Sequence, residues 1–547
     1  MKDKNFNNLL NKVGGREFSF YLMTALAVLQ CIFSVVFALF IKLFINSVEY
    51  KKDANIIVLY AVLLILCVLL SFAFGVGYRI LHAKSSTKVE LKLKQLVFSS
   101  YLKSSYKNLI SFNSGDVISR LESDCQKVAN THVALIPNAL STIVHVLTIL
   151  ALLLFMQPIF TLILLLCVAL AFIVSYFIRK IIFKLNLNTR NSEGETASFI
   201  NEVGNNALFI KSTSIENSII NLGNTRFNGV YRNKLKQRVF SASALSLISL
   251  AFTVAYAITI IWAVLNVNGG AGVDYGTLIA ILQLGYQIRT PIMSLSAYVP
   301  AYYEMQSSLS RLNDICLEDT ACKVDARNLE FVKAKFNNVS FGYDNNALIL
   351  DGVNLEILKN DAVLIKGQSG IGKSTLLKLL TGVYAPSKGN IVLEFVDKSG
   401  KTIELEPKSV KGLFGFVPQG NMLFGGSLYF NLTMLNECAS DEEIKSALKC
   451  ACLEDVAQSG LEMEIGSAGN LLSEGQAQRV ALARALISSC KVIIFDEATS
   501  ALDLELESQI IKNIGSCKDI TLIAVSHKNE ISKICNKSYE INSGKLA

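Results

Sequence analysis

Gly367-Gln-Ser-Gly-Ile-Gly-Lys-Ser374 follows the spacing G-x-x-x-x-G-K-S, a set of residue types suited to holding a chain of phosphates. Gly367, Gly370 and Gly372 let backbone N–H groups fold around phosphate oxygens, with Gln368, Ser369 and Ile371 filling the turn. A helix starting at Thr375 adds the positive end of its dipole. Lys373 is spaced to reach the β- and γ-phosphates, and the Ser374 hydroxyl to ligate Mg²⁺. Val492-Ile-Ile-Phe-Asp496 is an apolar run ending in a carboxylate, which suits the second Mg²⁺ ligand. Glu497 follows directly and is free to polarise an attacking water if Asp496 is committed to the metal. Ile520–Val525 is another apolar run, ending at Ser526-His527. An imidazole at that point is placed to sense a γ-phosphate.

These groups need a scaffold. Ala362–Lys366 reads as a strand leading into the glycine loop, and Thr375-Leu-Leu as the start of the helix behind it. Two further strands must deliver Asp496 and His527 to the same edge, because ligands bind at the carboxyl ends of strands in parallel α/β sheets. The short β-like runs begin near Lys335–Val339.

The preceding half is of another kind. The chain has 547 residues, mean hydropathy +0.42 and 18% charged residues, against about 25% charged in a typical soluble domain. Disorder, collagen and low-complexity repeats are excluded by the apolar content and by only 33 Gly and 7 Pro. Six apolar stretches, approximately 18–41, 56–78, 133–156, 159–178, 242–265 and 278–298, each suffice to cross a bilayer, which takes about 20 helical residues. Residues 1–326 hold 29 Lys and Arg against 18 Asp and Glu, and residues 327–547 hold 23 against 26. The cations cluster in two long loops, with Lys84, Lys92 and Arg120 in the first and Arg190, Lys211 and Arg232 in the second. Positive charge marks the cytoplasmic side, so the N-terminus, both long loops and the second half face the cytoplasm. Apolar residues recur in these loops at helical spacing, which predicts helices continuing beyond the membrane. Nucleic-acid binding is excluded, since the cations lie between spans. The twelve cysteines form no disulfide or zinc framework. Within the last span, Arg289, Gln283 and Gln287 are candidates for a substrate path, with Pro291 distorting the helix; His145 is a weaker, structural polar residue.

Between the glycine loop and the strand that ends at Asp496 lies Leu472-Ser-Glu-Gly-Gln476, followed by Ala477-Gln-Arg-Val-Ala-Leu-Ala-Arg-Ala485. With this sequence the chain resembles the ABC transporter superfamily over nearly its whole length, and in particular an exporter-type half transporter. The resemblance implies roles for matching residues. Tyr343 would stack on adenine, and Gln419 would contact Mg²⁺ and the attacking water. Leu472, Ser473, Glu474, Gly475 and Gln476 would form the signature that touches ATP held by the opposite subunit. Asp503 would lie in the loop linking the two sites. Gly115–Asp124 resembles the first cytoplasmic loop of the family, and Asn206–Ser212 falls where the second coupling helix belongs. Two departures stand out: Glu474 replaces the usual Gly, and Ser467 stands where exporters carry an acidic residue.

The expected architecture is a multidomain chain: an all-α six-helix transmembrane domain over residues 1–320 with long cytoplasmic helical extensions, a linker over 321–335, and an α/β P-loop ATPase domain over 336–547. The expected activity is ATP-driven export, by alternating access, of an amphipathic or hydrophobic lipid, drug or peptide, with ATP and Mg²⁺ as cofactors. An ATP-gated channel, a regulatory membrane ATPase or an uptake system remain alternatives. One chain carries one phosphate loop and one signature, so the resemblance implies an obligate dimer, a homodimer in preference to a heterodimer, embedded in lipid. The expected location is a bacterial plasma (inner) membrane, crossed several times.

Overall fold

The computed structural model describes residues 18–112, 114–265, 274–316, 323–343, 348–420, 422–458, 460–466, 469–499, 501–516, 520–526, 528 and 530–546. The chain divides into two compact units: residues 1–102 with 113–316, and residues 103–112 with 317–547.

The first unit is helical. Its elements are α1 (Phe18–Glu49) and α2 (Ala54–Lys103), then, after the short α3 (Tyr106–Ser111) that belongs to the second unit, α4 (Ser114–Met156). They continue as α5 (Pro158–Asn205), α6 (Ala207–Thr213), α7 (Glu216–Leu265), α8 (Tyr275–Gln287) and α9 (Arg289–Ile315). Among the described residues, α1, α2 and α4 are long and apolar enough to cross a membrane. The two basic loops are indeed helix: α2 runs on to Lys103, α5 to Asn205, and α7 starts at Glu216. Polar side chains tie α5 to α7 along these extensions. Gln237 donates to Asn186 at 2.6 Å, and Lys234 pairs with Glu193 at 2.6 Å.

The core of this unit joins α1, α4 and α8–α9 through Val35, Ala38, Ile149, Leu153, Ile281, Leu284 and Ile288. Each large aliphatic side chain removed from a wet surface contributes about 1.5–3 kcal/mol. Gly276 permits the α1–α8 approach, since a Cβ there would sit 2.2 Å from Asn46 Oδ1 and 2.4 Å from Lys42 O. Asn46 in turn donates to Asp274, which caps α8 by accepting from Thr277 N–H at 2.8 Å. The last expected span, 278–298, is not one helix. It breaks at Ile288, because Pro291 has no N–H to donate to the Gln287 carbonyl and its ring crowds that carbonyl.

The second unit is α/β. Its strands and helices are β1 (Val324–Asp325), β2 (Glu330–Phe341), β3 (Leu350–Leu358), β4 (Ala362–Lys366), α10 (Lys373–Leu380), β5 (Lys388–Val396), β6 (Thr402–Leu405), β7 (Val410–Lys411) and β8 (Phe414–Val417). They continue with α11 (Leu428–Thr433), α12 (Asp441–Cys450), α13 (Glu454–Ala457), α14 (Glu474–Ile487), β9 (Val492–Asp496), α15 (Leu504–Gly515), β10 (Thr521–Val525), β11 (Lys537–Asn542) and β12 (Lys545–Leu546). The expected linker over 321–335 and the boundary at 336 need correction. Strand β1 already forms at Val324, and residue 336 lies in the middle of β2, where Phe336 is buried between β3 and β5.

The main sheet has the order β12-β11-β4-β10-β9-β8, and all its neighbours are parallel except β11 and β12. A second, antiparallel sheet has the order β3-β2-β5-β6. Both faces of the main sheet are covered, which is why β4, β9 and β10 read as unbroken apolar runs. Leu364, Ile493, Phe495, Leu522 and Ala524 face α14, whereas Val363, Ile365, Ile494, Ile523 and Val525 face α10 and the antiparallel sheet. Segment 103–112 joins this unit through Tyr106, whose ring meets that of Tyr384 at 5.7 Å between centroids.

Candidate nucleotide site and membrane cavity

Strand register brings the chemical groups of the second unit to one edge. Val525 pairs with Ile365 on one side and with Asp496 on the other, while Val417 pairs with Phe495. The loop after β4, the carboxylates after β9 and the Gln419 turn after β8 therefore emerge side by side, as the parallel-sheet rule requires.

The Gly367–Gly372 turn depends on left-handed backbone. Gly372 has φ +115°, and a Cβ there would lie 2.8 Å from Ile349 Cγ2. Gly367 and Gly370 also have positive φ, while Gln368, Ser369 and Ile371 complete the loop. Lys373 opens α10 and is buried; its ammonium donates to Gly367 O at 2.7 Å and Gln368 O at 3.1 Å. The lysine is thus folded inside the loop that its charge would share with phosphates. Ser374 Oγ donates to Asp496 Oδ1 at 3.3 Å. Burial pushes the Asp496 carboxyl above its ordinary range, and the neighbouring Glu497 charge adds to the effect against the Ser374 hydrogen bond. A hydroxyl beside a half-buried carboxylate that resists carrying its charge fits a hard, oxygen-seeking cation.

Glu497 takes φ +52°, unusual for a non-glycine residue, and its N–H donates to Val525 O at 3.0 Å. This turn presents its carboxylate to Gln419, whose amide donates to Glu497 Oε2 at 2.7 Å. Tyr343 contacts Phe341 and Tyr384 edge-on, with centroids 5.2 and 5.4 Å apart, and its hydroxyl lies 3.1 Å from Thr375 Oγ1. The ring remains exposed beside these contacts. His527 and Ser467 lie outside the described residues.

The signature residues form a helix start. The Ser473 hydroxyl accepts from Gln476 N–H at 3.2 Å, and Gln476 Oε1 accepts from Ser473 N–H at 2.9 Å, a reciprocal capping box. The Ser473 O–H still has its proton to donate to an incoming anion. Glu474 is exposed in the first turn of α14, where a carboxylate suits the helix dipole. Gly475 lies against the Asp503 loop: a Cβ there would be 3.2 Å from Ala501 O. Leu472 packs on the core beside α14. Asp503 itself caps α15, accepting from Leu506 N–H at 2.8 Å.

The first unit holds a cavity of about 380 Å³ between α1, α2 and α8. Gln283 and Gln287 line it with Gln30, Ser34, Arg79 and Phe72. Gln287 donates to Ser34 O at 3.3 Å, and its buried Oε1 has no partner. Arg289 belongs elsewhere: its guanidinium donates to Ser249 on α7, because Ile288 keeps helical dihedrals and residues two apart on a helix point to opposite faces, whereas Gln283 and Gln287, four apart, share one. Arg79, at the end of the second apolar stretch, is the cation that sequence reading missed there. A lone arginine closing an apolar run was the available signal.

Comparison with known proteins places these features in context. Residues 20–292 match the family described as ABC transporter transmembrane region, and residues 350–500 that described as ABC transporter. The chain is 26% identical over 523 residues to the alpha-hemolysin translocation ATP-binding protein HlyB of Escherichia coli, covering 94% of this chain and 73% of that protein. It is 30% identical over 308 residues to the lactococcin-A transport/processing ATP-binding protein LcnC of Lactococcus lactis subsp. lactis, covering 55% of this chain and 42% of that one. Another HlyB, from Escherichia coli O157:H7, is matched over 39% of its length at 35% identity. The fold is similar to a solved structure of a bacterial Atm1-family ABC exporter with ATP bound, with TM-score 0.82, 21% identity, and coverage of 97% of this chain and 95% of that one.

Proposed function

The chain belongs to the ABC transporter family as an exporter-type half transporter with fused membrane and ATPase domains, and we propose that it exports an amphipathic peptide from the cytoplasm by alternating access. The observation that carries this reading is the meeting of the Gly367–Ser374 loop, Asp496 and the Gln419–Glu497 pair at one sheet edge, in a chain whose first unit has helices long and apolar enough to cross a membrane and a cavity lined by both amide side chains and phenyl rings. The names of the HlyB and LcnC relatives, translocation and transport proteins for alpha-hemolysin and lactococcin-A, support a peptide over a lipid or drug.

The chemistry follows from the residues. Incoming phosphates draw Lys373 from its two loop carbonyls, exchanging neutral acceptors for charged ones. Ser374 and Asp496 would hold Mg²⁺, which supplies neutralisation of phosphate charge. Glu497 accepts a proton from the attacking water, held in place by the Gln419 amide, and His527 senses the γ-phosphate. Tyr343 stacks on adenine. Ser473, with Leu472, Gly475 and Gln476, closes over the nucleotide of a second copy, so the working unit is a dimer, a homodimer in preference to a heterodimer. In the cavity, Arg79 would bind a peptide carboxylate, the Gln30, Gln283 and Gln287 amides its backbone, and the phenyl rings its apolar side chains. The assembly is placed in the bacterial inner membrane with both ATPase domains cytoplasmic.

The test is a ligand-stimulated ATPase screen of the purified full chain with short amphipathic peptides, phospholipids and hydrophobic drugs. Uptake of the best stimulator into inside-out vesicles follows. ATP-dependent accumulation of a peptide supports the proposal. Passive flux on ATP binding would instead identify a channel, and stimulation by phospholipid alone would move the cargo to lipid.

A further inference from the structure

Lys528 follows His527 and enters neither the phosphate loop nor the signature. Its ammonium has three N–H donors, and three acceptors surround it. It donates to Thr499 O at 2.7 Å and to Leu502 O at 3.2 Å, and lies 3.1 Å from Glu507 Oε2. Glu507 is wholly buried, and its other oxygen accepts from the Thr499 hydroxyl at 2.7 Å. The backbone of Lys528 is anchored in turn, its N–H donating to Ser526 Oγ at 3.0 Å.

The loop that Lys528 grips is the one ending at Asp503. From the other side Ala501 N–H donates to Gln478 Oε1 of α14 at 3.2 Å, and the Gly475 backbone lies against Ala501 O. Thr499, Ala501 and Leu502 are therefore held between the end of β10 and the signature helix. Among the described residues, Lys528 is the side chain that reaches two of the loop's carbonyls.

We propose that Lys528 is a positioning residue that fixes the Asp503 loop, so that a movement of Ser526 and Lys528 at the end of β10 on γ-phosphate binding is carried to the signature surface offered to the second subunit. The inference rests on the proposed ATPase dimer. The ammonium acts through the two carbonyls. A packed polar chain with both ends fixed is the kind of contiguous element through which coupling between sites travels.

Removing Lys528 alone leaves the Glu507 carboxylate buried and unpaired, which by itself destabilises the domain. The test is accordingly the double variant Lys528→Met/Glu507→Gln, in which the amide still accepts from Thr499 and no charge is stranded. In the full-length reconstituted protein we expect nucleotide affinity within about threefold of the original, kcat lowered by about tenfold or more, and loss of sigmoidal dependence on ATP. A purely structural role would lower the melting temperature without changing that dependence. Lys528→Arg serves as the second variant. It keeps the charge for Glu507, but its planar fork cannot present three tetrahedral donors, so kcat and cooperativity fall with the fold intact. Unchanged kcat and cooperativity in the folded double variant, or in folded Lys528→Arg if the double variant does not fold, overturns the proposal. An original protein that hydrolyses no ATP would instead sink the ATPase reading itself.

Discussion

The Gln419 side-chain amide donates to Glu497 Oε2 at 2.7 Å, joining the turn after β8 to the turn after β9. Glu497→Gln removes the proton acceptor while leaving an oxygen for Gln419, so the fold should be undisturbed. Turnover is expected to fall by about 10²–10⁴-fold, the usual worth of a general base, with ATP binding retained. Steady-state phosphate release and nucleotide binding measured on the same preparation check this. Turnover at the original rate would show that another group polarises the water.

Arg289 and Arg79 should separate. Arg289 ties α9 to α7 through Ser249, so Arg289→Ala is expected to lower thermal stability by about 0.5–3 kcal/mol with little effect on stimulation by cargo. Arg79→Ala, on the cavity wall, is expected to weaken stimulation and leave basal ATPase unchanged. Peptide-stimulated and basal rates, with melting curves for both variants, decide the assignment; the reverse pattern returns Arg289 to the substrate path.

Asp124 is buried at the end of a π-turn and accepts from Ser308 at 2.9 Å and Arg311 at 2.5 Å. These bonds join α4 to α9. Asp124→Ala strands both donors, at a cost of about 1–3 kcal/mol. A thermal-shift assay on detergent-solubilised protein would read this, and an unaltered melting temperature counts against the pair as a helix tie.

The ATPase unit should weaken in acid through Asp361. Burial alone would raise this carboxyl, but the Lys537 ammonium at 2.6 Å, the Leu358 N–H and the Asn536 amide hold it below its usual range. A depressed carboxylate stabilises the fold above its unfolded value and loses that contribution as pH falls through the folded one. Stability should therefore begin to drop near pH 4 and continue downward, about where an unfolded Asp takes up its proton. Asp361→Asn should lower stability at neutral pH and flatten this acid limb. Urea titrations at several pH values test it, and parallel pH profiles for the two proteins would exclude Asp361 as the cause.

Much of the site could be read in the sequence because its signals are local. A glycine loop between strand and helix and carboxylates closing an apolar strand each follow from a few adjacent residues. Helical periodicity likewise foretold the extensions that α2, α5 and α7 supply. What stayed hidden depends on partners far away in the chain. The local pattern could not show that Arg289 would find its partner in Ser249 on α7. Nor could it show that Tyr106 would fold with residues beyond 317, or that Arg79 would face the two glutamines.

The sequence by itself determined what the chemistry is, because phosphate binding and membrane insertion are written in short, contiguous patterns of residue type. Only the tertiary structure decided which polar groups act together. Strand register set Gln419 against Glu497, and the burial of Glu507 drew Lys528 onto the Asp503 loop. A buried charge must find its partner wherever the packed chain places one.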